Sequence, residues 1–307
     1  MSMASDNDFD LKSVEAEKVA LASQGIGAII QSLSYGDTSS DGSSIVGDDQ
    51  FLFISGGSNY WNEQISGHHR ISDEDFESSL STLSDIKNEC AARSIAFSLV
   101  VIPEKDLVYP DKSPNCRGIT LGERPVHQLQ AAFPDTLYPL PELRAATGDA
   151  LLYHKRDSHF NFFGGLIIFN SIAAILRIEP LEYDSTPSMH APWQDDLAVK
   201  WEKYPTIRRT LCPEYDELVI KSGTPLTGHH MKLTAKFPTN NDCAVIYGDS
   251  YAWNPDAGLS RFLTRRFKTV HFIWSRRIDW DLITELGPTA LIVESAERFL
   301  IGGLFRA

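Results

Sequence analysis

Residues 243–251 read Cys-Ala-Val-Ile-Tyr-Gly-Asp-Ser-Tyr, and how this stretch is read decides the fold. Cys243 to Tyr247 is an apolar run of strand length, and Gly248-Asp249-Ser250 breaks it with turn residues. Asn254 then stands where a helix N-cap belongs, with Pro255 at the first helical position, so a helix is predicted over 255–267. A buried strand turning sharply into a helix is the repeating unit of an α/β sheet. Ligands bind such sheets at the carboxyl ends of the strands, where Ser250 would stand.

The same alternation extends in both directions. Strands are predicted at 51–55, 95–102, 270–274 and 290–294, with extended segments at 136–140 and 151–153. Helices are predicted at 73–93 with Ser72 as N-cap, near 121–132, at 141–147, after Asn161, at 280–286 before Gly287, and at 296–300. The run Ile95–Ile102 (IAFSLVVI) is too uniformly apolar for a sheet with one wet face. The expected fold is therefore an α/β parallel sheet with helices on both faces. Residues 1–50 are read apart from this domain, as a helix from Asp10 to about Ser34 and a mobile Gly/Ser/Asp-rich linker from Tyr35 to Gln50. The domain itself spans 51–307. Its rhythm breaks at about 178–240, a proline- and aromatic-rich stretch read as an irregular insertion over the working edge of the sheet.

Composition narrows the function. The chain has 307 residues and a net charge of −13, which disfavours a nucleic-acid partner or an anionic membrane surface. The most apolar stretch, Phe160 to Leu176, is interrupted by Asn161, Gly164, Gly165 and Asn170 and is too short to span a bilayer, so no membrane insertion is expected. The opening residues MSMASDNDFDLKS lack the charge and apolar core of a secretory signal. A cytoplasmic location is the expectation for the chain as written, or a periplasmic one where a leader has been removed. Cys90, Cys116, Cys212 and Cys243 contain no CxxC pair and are read as free thiols.

Two stretches carry chemistry. At Gly248-Asp249-Ser250, the amides of Ser250 and Tyr251 are placed to face a developing oxyanion, although the same three residues compose many ordinary turns. At Asp157-Ser158-His159, two residues apart in an extended segment, a carboxylate and an imidazole project to one side. A serine hydroxyl needs such an imidazole to take its proton, and the imidazole needs a carboxylate to fix its tautomer. The alternative is that Asp157 caps the helix that follows and His159 is merely packed. Each pattern alone favours the plainer reading. Together, each after a predicted strand, they form a triad of Asp157, His159 and Ser250 that the fold would have to assemble.

The order DxH, insertion, strand-GDS-helix, strand, helix, strand-Glu-helix resembles the SGNH-hydrolase-like polysaccharide O-acetyltransferases of the alginate type (AlgJ/AlgX). The matching pieces are Phe51-Leu52-Phe53, Val101-Ile102-Pro103-Glu104-Lys105 with Val108-Tyr109-Pro110, Asp157 to Asn161, Asp196-Leu197, Gly248 to Tyr251, and Ala290 to Leu300. Phe160 stands where the family commonly has Trp, and Tyr251 where it usually has Phe. The resemblance implies an SGNH-like, flavodoxin-related sheet and a serine acyl-transfer enzyme that moves acetyl groups onto a glycan hydroxyl. It also implies an acetyl donor, with a membrane acyltransferase as one such partner, and a carbohydrate acceptor. Hydrolysis of carbohydrate acetate esters by the same triad is the alternative, and a non-catalytic glycan-binding protein retaining the fold is another. That last reading requires Ser250 and His159 to be too far apart to hydrogen-bond.

Further candidates have two readings each. Arg298 either holds an acyl or sugar oxygen or pairs with Glu294, four residues earlier on a helix surface. Asn59 is a candidate oxyanion donor or a plain loop residue. Asp249 is read as stabilising the turn. The pairs His68–His69 and His229–His230 are assigned to surface loops, because no metal-ligand spacing accompanies them; neither metal nor cofactor is called for. Trp193, Trp201, Tyr204 and Tyr215 either stack on sugar rings or form the insertion's own core, and Phe162, Phe163 and Phe169 are read as core.

Overall fold

The computed structural model describes residues 33–304, except 57–58, 184–187, 202–206, 223–228 and 255–257. The helix read at 10–34 lies outside the described residues but for its last two positions. A small antiparallel pair comes first, β1 (Ser44–Val46) with β2 (Leu52–Ile54), followed by α1 (Trp61–Ile65) and α2 (Asp73–Ala92). Then come β3 (Ala96–Ile102), α3 (Lys105–Val108), α4 (Pro125–Ala132), β4 (Thr136–Leu137), α5 (Leu140–Ala146) and α6 (Phe162–Leu176). The insertion supplies β5 (Ser188–Gln194), β6 (Ile207–Pro213), β7 (Glu217–Ser222) and β8 (His229–Thr234). The chain continues through β9 (Cys243–Tyr247), α7 (Ser250–Trp253), α8 (Leu259–Leu263), β10 (Thr269–Trp274), α9 (Trp280–Leu286) and β11 (Ala290–Ala296). It closes with a 3-10 turn over Glu297–Gly302.

The main sheet has the order β4-β3-β11-β9-β10-β8-β7. From β4 to β10 its neighbours are parallel. Counted from β9 through β10 and β11 to β3 and β4, the parallel order is 2-1-3-4-5, the flavodoxin order with its starting strand displaced along the chain. The displacement explains why the DxH stretch precedes GDS in sequence. It also fixes the switch point between β9 and β11. From β9 the chain moves outward to β10, then returns to β11 on the other side, so a crevice opens above the carboxyl end of β9.

Side-chain alternation divides the core as a doubly covered sheet demands. Val100, Ile102, Ala244, Ile246 and Ile292 face α6 and α8, where Ile168, Phe169, Ile172, Phe262 and Leu263 meet them. Leu99, Val101, Val245, Tyr247, Leu291 and Val293 face Leu83 and Ile86 of α2, Leu129 of α4 and Ile283 of α9. Ser72 caps α2 by accepting the Asp75 N–H at 3.1 Å, an arrangement worth about 1 kcal/mol.

Three expectations are corrected. Residues 35–50 are ordered and not a mobile linker: β1 pairs with β2, and Val46 packs with Leu52, Ile54, Leu197 and Ala198. The Gly/Ser/Asp composition serves tight turns there, with the Asp41 carboxylate accepting from Ser39 and Ser43 and with Gly36 and Gly42 at positive φ. The insertion is not irregular, because β8 pairs antiparallel with β10 and β7 with β8, which makes the sheet mixed. The helix read at 255–267 with Asn254 as its cap is observed over a shorter range, as α8 with Gly258 at its N-cap. Asp249 is the N-cap of α7, Asn254 ends that short helix, and a second one, α8, follows from Leu259. Among the described residues, no helix is long and apolar enough to cross a membrane.

Candidate active site

The GDS turn is pinned to the neighbouring strand. Asp249 N–H donates to Glu294 Oε2 at 2.9 Å, and the Asp249 carboxylate accepts the Tyr251 N–H at 2.9 Å and the Ala296 N–H at 2.8 Å. A Cβ at 248 would stand 2.3 Å from Glu294 Oε2 and 3.0 Å from Ala252 Cβ, so glycine leaves the Glu294 contact with the turn undisturbed. Burial and the nearby Asp249 push the Glu294 carboxyl well above its ordinary pKa. Asp249 thus holds the turn, as read from the sequence. The Tyr251 amide is committed to that cap, which corrects its expected role toward an oxyanion.

The other half of the site lies between Leu152 and α6. Tyr153 and Phe160 form an isolated antiparallel bridge, and Asn161 caps α6 by accepting the Phe163 and Gly164 amides. With Asn161 as cap, Asp157 is released from that duty. Its Oδ1 accepts the His159 N–H at 2.8 Å and lies 2.7 Å from His159 Nδ1. On the opposite side of the ring, His159 Nε2 lies 2.8 Å from Ser250 Oγ. Asp157 is fully buried and His159 is 8% exposed. Burial works against charge on both, but each outweighs it for the other: Asp157 is held well below the carboxylate range and His159 above the imidazole range.

The Tyr251 ring packs against the His159 imidazole with centroids 4.6 Å apart, and its hydroxyl donates to Ser158 O at 2.9 Å. Lys105, which is buried, donates to three carbonyls of the same loop: His154 O, Lys155 O and Asp157 O, the last at 2.7 Å. Desolvation pulls its ammonium down to about 8. Asp196, from the insertion, accepts the Ser158 N–H at 2.7 Å and gives its own N–H to Asp157 Oδ2 at 2.7 Å. Lys105 and Asp196 stand in stretches that carry the family resemblance, but the sequence gives neither a role, because their partners are mostly backbone groups of a remote loop. The proline-flanked Glu104-Lys105-Asp106, a run of charge entering a buried segment, is the available signal.

Arg298 does not pair with Glu294. It is buried, its Nη1 lies 2.6 Å from Glu104 Oε1, and its guanidinium sits over the Tyr251 and Phe299 rings. Glu294 lies within β11 and Arg298 in the 3-10 turn that follows it, so the four-residue spacing, which pairs side chains only along one helix, does not bring them together. Burial pushes Glu104 up to about 7 against the pull of Arg298. Asn59 lies in the left-handed region, and its carbonyl accepts from Gln64, whose amide also donates to Arg298 O.

His229 and His230 are buried on β8 and not in a surface loop. His229 packs against Trp253 and Phe272, and His230 Nε2 lies 2.8 Å from His271 Nδ1. Consecutive strand residues face opposite sides, which separates the pair. Trp201 donates to Ser44 Oγ and Tyr215 lies under the Arg261 guanidinium, so both serve packing; the side chains of Trp193 and Tyr204 lie outside the described residues. Phe162, Phe163 and Phe169 belong to the core or pack against it. Among the described residues, Asp157, His159 and Asp196 could offer ligand atoms to a metal, within 4.8 Å of one another, though each of these groups is engaged in hydrogen bonds. Beside the GDS turn lies a cavity of about 110 Å³, with Gly248, Asp249, Trp274, Ser275, Glu294 and Phe299 in its wall.

The strand order, with a serine at its switch point, is that of an SGNH-like α/β fold, and solved structures share it. PatB1 of Bacillus cereus, solved with a sulfonyl adduct, superposes with a TM-score of 0.61 at 12% identity, covering 85% of this chain and 97% of that one. AlgX of Pseudomonas aeruginosa superposes with a TM-score of 0.51 at 14% identity, covering 84% of this chain and 62% of that one. In sequence, the chain is 23% identical over 190 residues to the probable alginate O-acetylase AlgJ of Pseudomonas syringae pv. tomato, covering 58% of this chain and 48% of that protein. The chain thus spans about half the length of the curated relative it matches. No family model matches it. The resemblance to the alginate-type proteins read from the motifs is supported by these likenesses.

Proposed function

We propose that the chain is an O-acetyltransferase that carries an acetyl group on Ser250 and passes it to a carbohydrate hydroxyl. One observation carries the reading: Ser250 Oγ, His159 and the buried Asp157 are joined by contacts of 2.8 and 2.7 Å, the relay an unactivated alcohol needs. The match to a probable alginate O-acetylase supports acetyl as the group and a polysaccharide as the acceptor. The same 2.8 Å contact speaks against a non-catalytic scaffold.

In the first step Ser250 Oγ gives its proton to His159 Nε2 and bonds to the acyl carbon of an ester or thioester donor. Collapse of the tetrahedral adduct breaks the bond to the donor, and His159 returns the proton to the leaving group. In the second step the acceptor hydroxyl gives its proton to His159 and takes the acyl group, restoring Ser250. Asp157 holds Nδ1–H and stabilises the imidazolium in both steps. The Ser250 amide and Asn59 are the oxyanion donors we assign, Asn59 because Gln64 ties its turn to the chain just past β11. Arg298 acts from behind, fixing Tyr251 and through it the ring of His159. The aromatic and hydroxyl-bearing wall of the cavity beside the turn suits a sugar.

The test is release of nitrophenol from p-nitrophenyl acetate by the wild type and by Ser250→Ala, His159→Ala and Asp157→Ala. Losses of about 10²-fold or more in each variant are expected. Full rates in all three would refute the assignment. Mass spectrometry of added oligosaccharides separates transfer from hydrolysis: acetylated sugar marks a transferase, acetate alone an esterase.

A further inference from the structure

The insertion places a second carboxylate against the imidazole. Asp196 Oδ2 lies 3.8 Å from His159 Nδ1, and the Asp196 side chain is 41% exposed, whereas Asp157 is fully buried. It is held there at several points. Oδ1 accepts the Ser158 N–H at 2.7 Å, Oδ2 accepts the Ser158 hydroxyl at 2.5 Å, and the Asp196 N–H donates to Asp157 Oδ2 at 2.7 Å. The residue between the two DxH side chains is thereby tied to a part of the chain 38 positions away.

We propose that Asp196 is a positioning residue of the acyl-transfer site, locking the DxH loop in register and lending His159 a second negative charge. This inference rests on the triad reading of the preceding section. An imidazole flanked by one carboxylate gains basicity from it; a second carboxylate, off the hydrogen-bond axis, raises it further without competing for Nδ1–H. The other groups around the ring are few. Tyr251 packs on its face, Arg298 lies behind Tyr251 and opposes a positive charge, and Ser250 and Ser158 are neutral hydroxyls. Lys105 lies behind the Asp157 carbonyl, His154 precedes the loop, and Asp195 is the buried neighbour of Asp196. Asp157 first and Asp196 next favour the charged ring over its burial.

The insertion would thus supply a reactivity-setting group as well as two strands of the main sheet. Attack by Ser250 leaves an imidazolium facing both carboxylates, so Asp196 favours the state formed along the reaction. The exposed edge of Asp196 also lets bulk solvent and salt modulate that effect, which the buried Asp157 escapes.

Asp196→Asn separates charge from shape, because the amide can still accept the Ser158 N–H and meet its hydroxyl. The His159 ring is titrated by NMR in the wild type and in Asp196→Asn, with its resonance identified by its loss in His159→Gln. The expected result is a lower midpoint in Asp196→Asn. The nitrophenyl acetate profile should shift its acid limb to lower pH in step, with a plateau reduced by up to about tenfold, since one unit of basicity is a factor of ten. Raised salt should narrow the difference between the two proteins. An unchanged or raised midpoint overturns the proposal, whatever happens to the plateau. Failure of the triad reading looks different, because it shows as a full rate in Ser250→Ala.

Discussion

Gly164→Ala is the most informative single perturbation of the helix that carries the DxH loop. Gly164 lies in the first turn of α6, and a Cβ there would stand 2.3 Å from Leu152 O and 2.9 Å from Phe160 Cβ. Ordinary contact begins near 3.4 Å, so the helix and the strand before it must separate by about 1 Å. Leu152 O also accepts the Asn161 N–H at 2.8 Å, and between those two residues lie Asp157 and His159. The displacement is therefore delivered to the base of the triad. Alanine gains about 1 kcal/mol over glycine in helix propensity, whereas overpacking costs about 1–3 kcal/mol. The net is a destabilisation of about 0–2 kcal/mol, or a fall of at most about 3 °C in Tm at this chain length. Turnover should fall much further, on the order of 10²-fold, because reacting atoms tolerate little misplacement. Thermal melts and nitrophenyl acetate kinetics are run beside Gly148→Ala, where nothing lies within 4 Å of the new Cβ and no change is expected. Wild-type turnover in Gly164→Ala would refute the claim that this close approach sets the loop.

Two further outcomes follow from the electrostatics. Because Asp157 and Asp196 outweigh burial and hold His159 above its ordinary 6.5, turnover that needs the neutral ring should rise through an acid limb above that value. By linkage, the stability gained from the His159–Asp157 pair is full below pH 6.5 and is lost as pH rises through the folded-state value, so the Tm advantage over His159→Gln should shrink there. An acid limb below 6.5 would contradict this balance. Arg298→Met strands the buried Glu104, whose partner nitrogen is 2.6 Å away, and should destabilise by about 3–5 kcal/mol in urea titration. Adding Glu104→Gln should recover part of that loss, and an unmoved urea midpoint would refute the pairing.

The regular elements were legible where hydrophobic period and capping chemistry coincide. Ser72, Asn161 and Gly287 mark helix ends in both sequence and structure, and the run at 243–247 is β9 residue for residue. Misreadings arose where composition serves more than one structure. Gly, Ser and Asp at 35–50 mark tight turns of a paired strand as readily as a linker. The prolines of the insertion do not prevent β7 and β8 from joining the sheet edge. Asn254 has the chemistry of an N-cap, but it ends α7, which Asp249 caps, and Gly258 stands at the N-cap of α8.

The sequence by itself determined the strand–turn–helix at Ser250 and the side chains of the DxH loop, because local dihedral preference, apolar period and capping act over a few residues. Tertiary structure alone decided which charges meet. Arg298 found Glu104 instead of Glu294, and Lys105 and Asp196 closed on the loop of Asp157 and His159. Those pairings join positions dozens of residues apart, and they exist because the order of the strands brings their carboxyl ends to one rim.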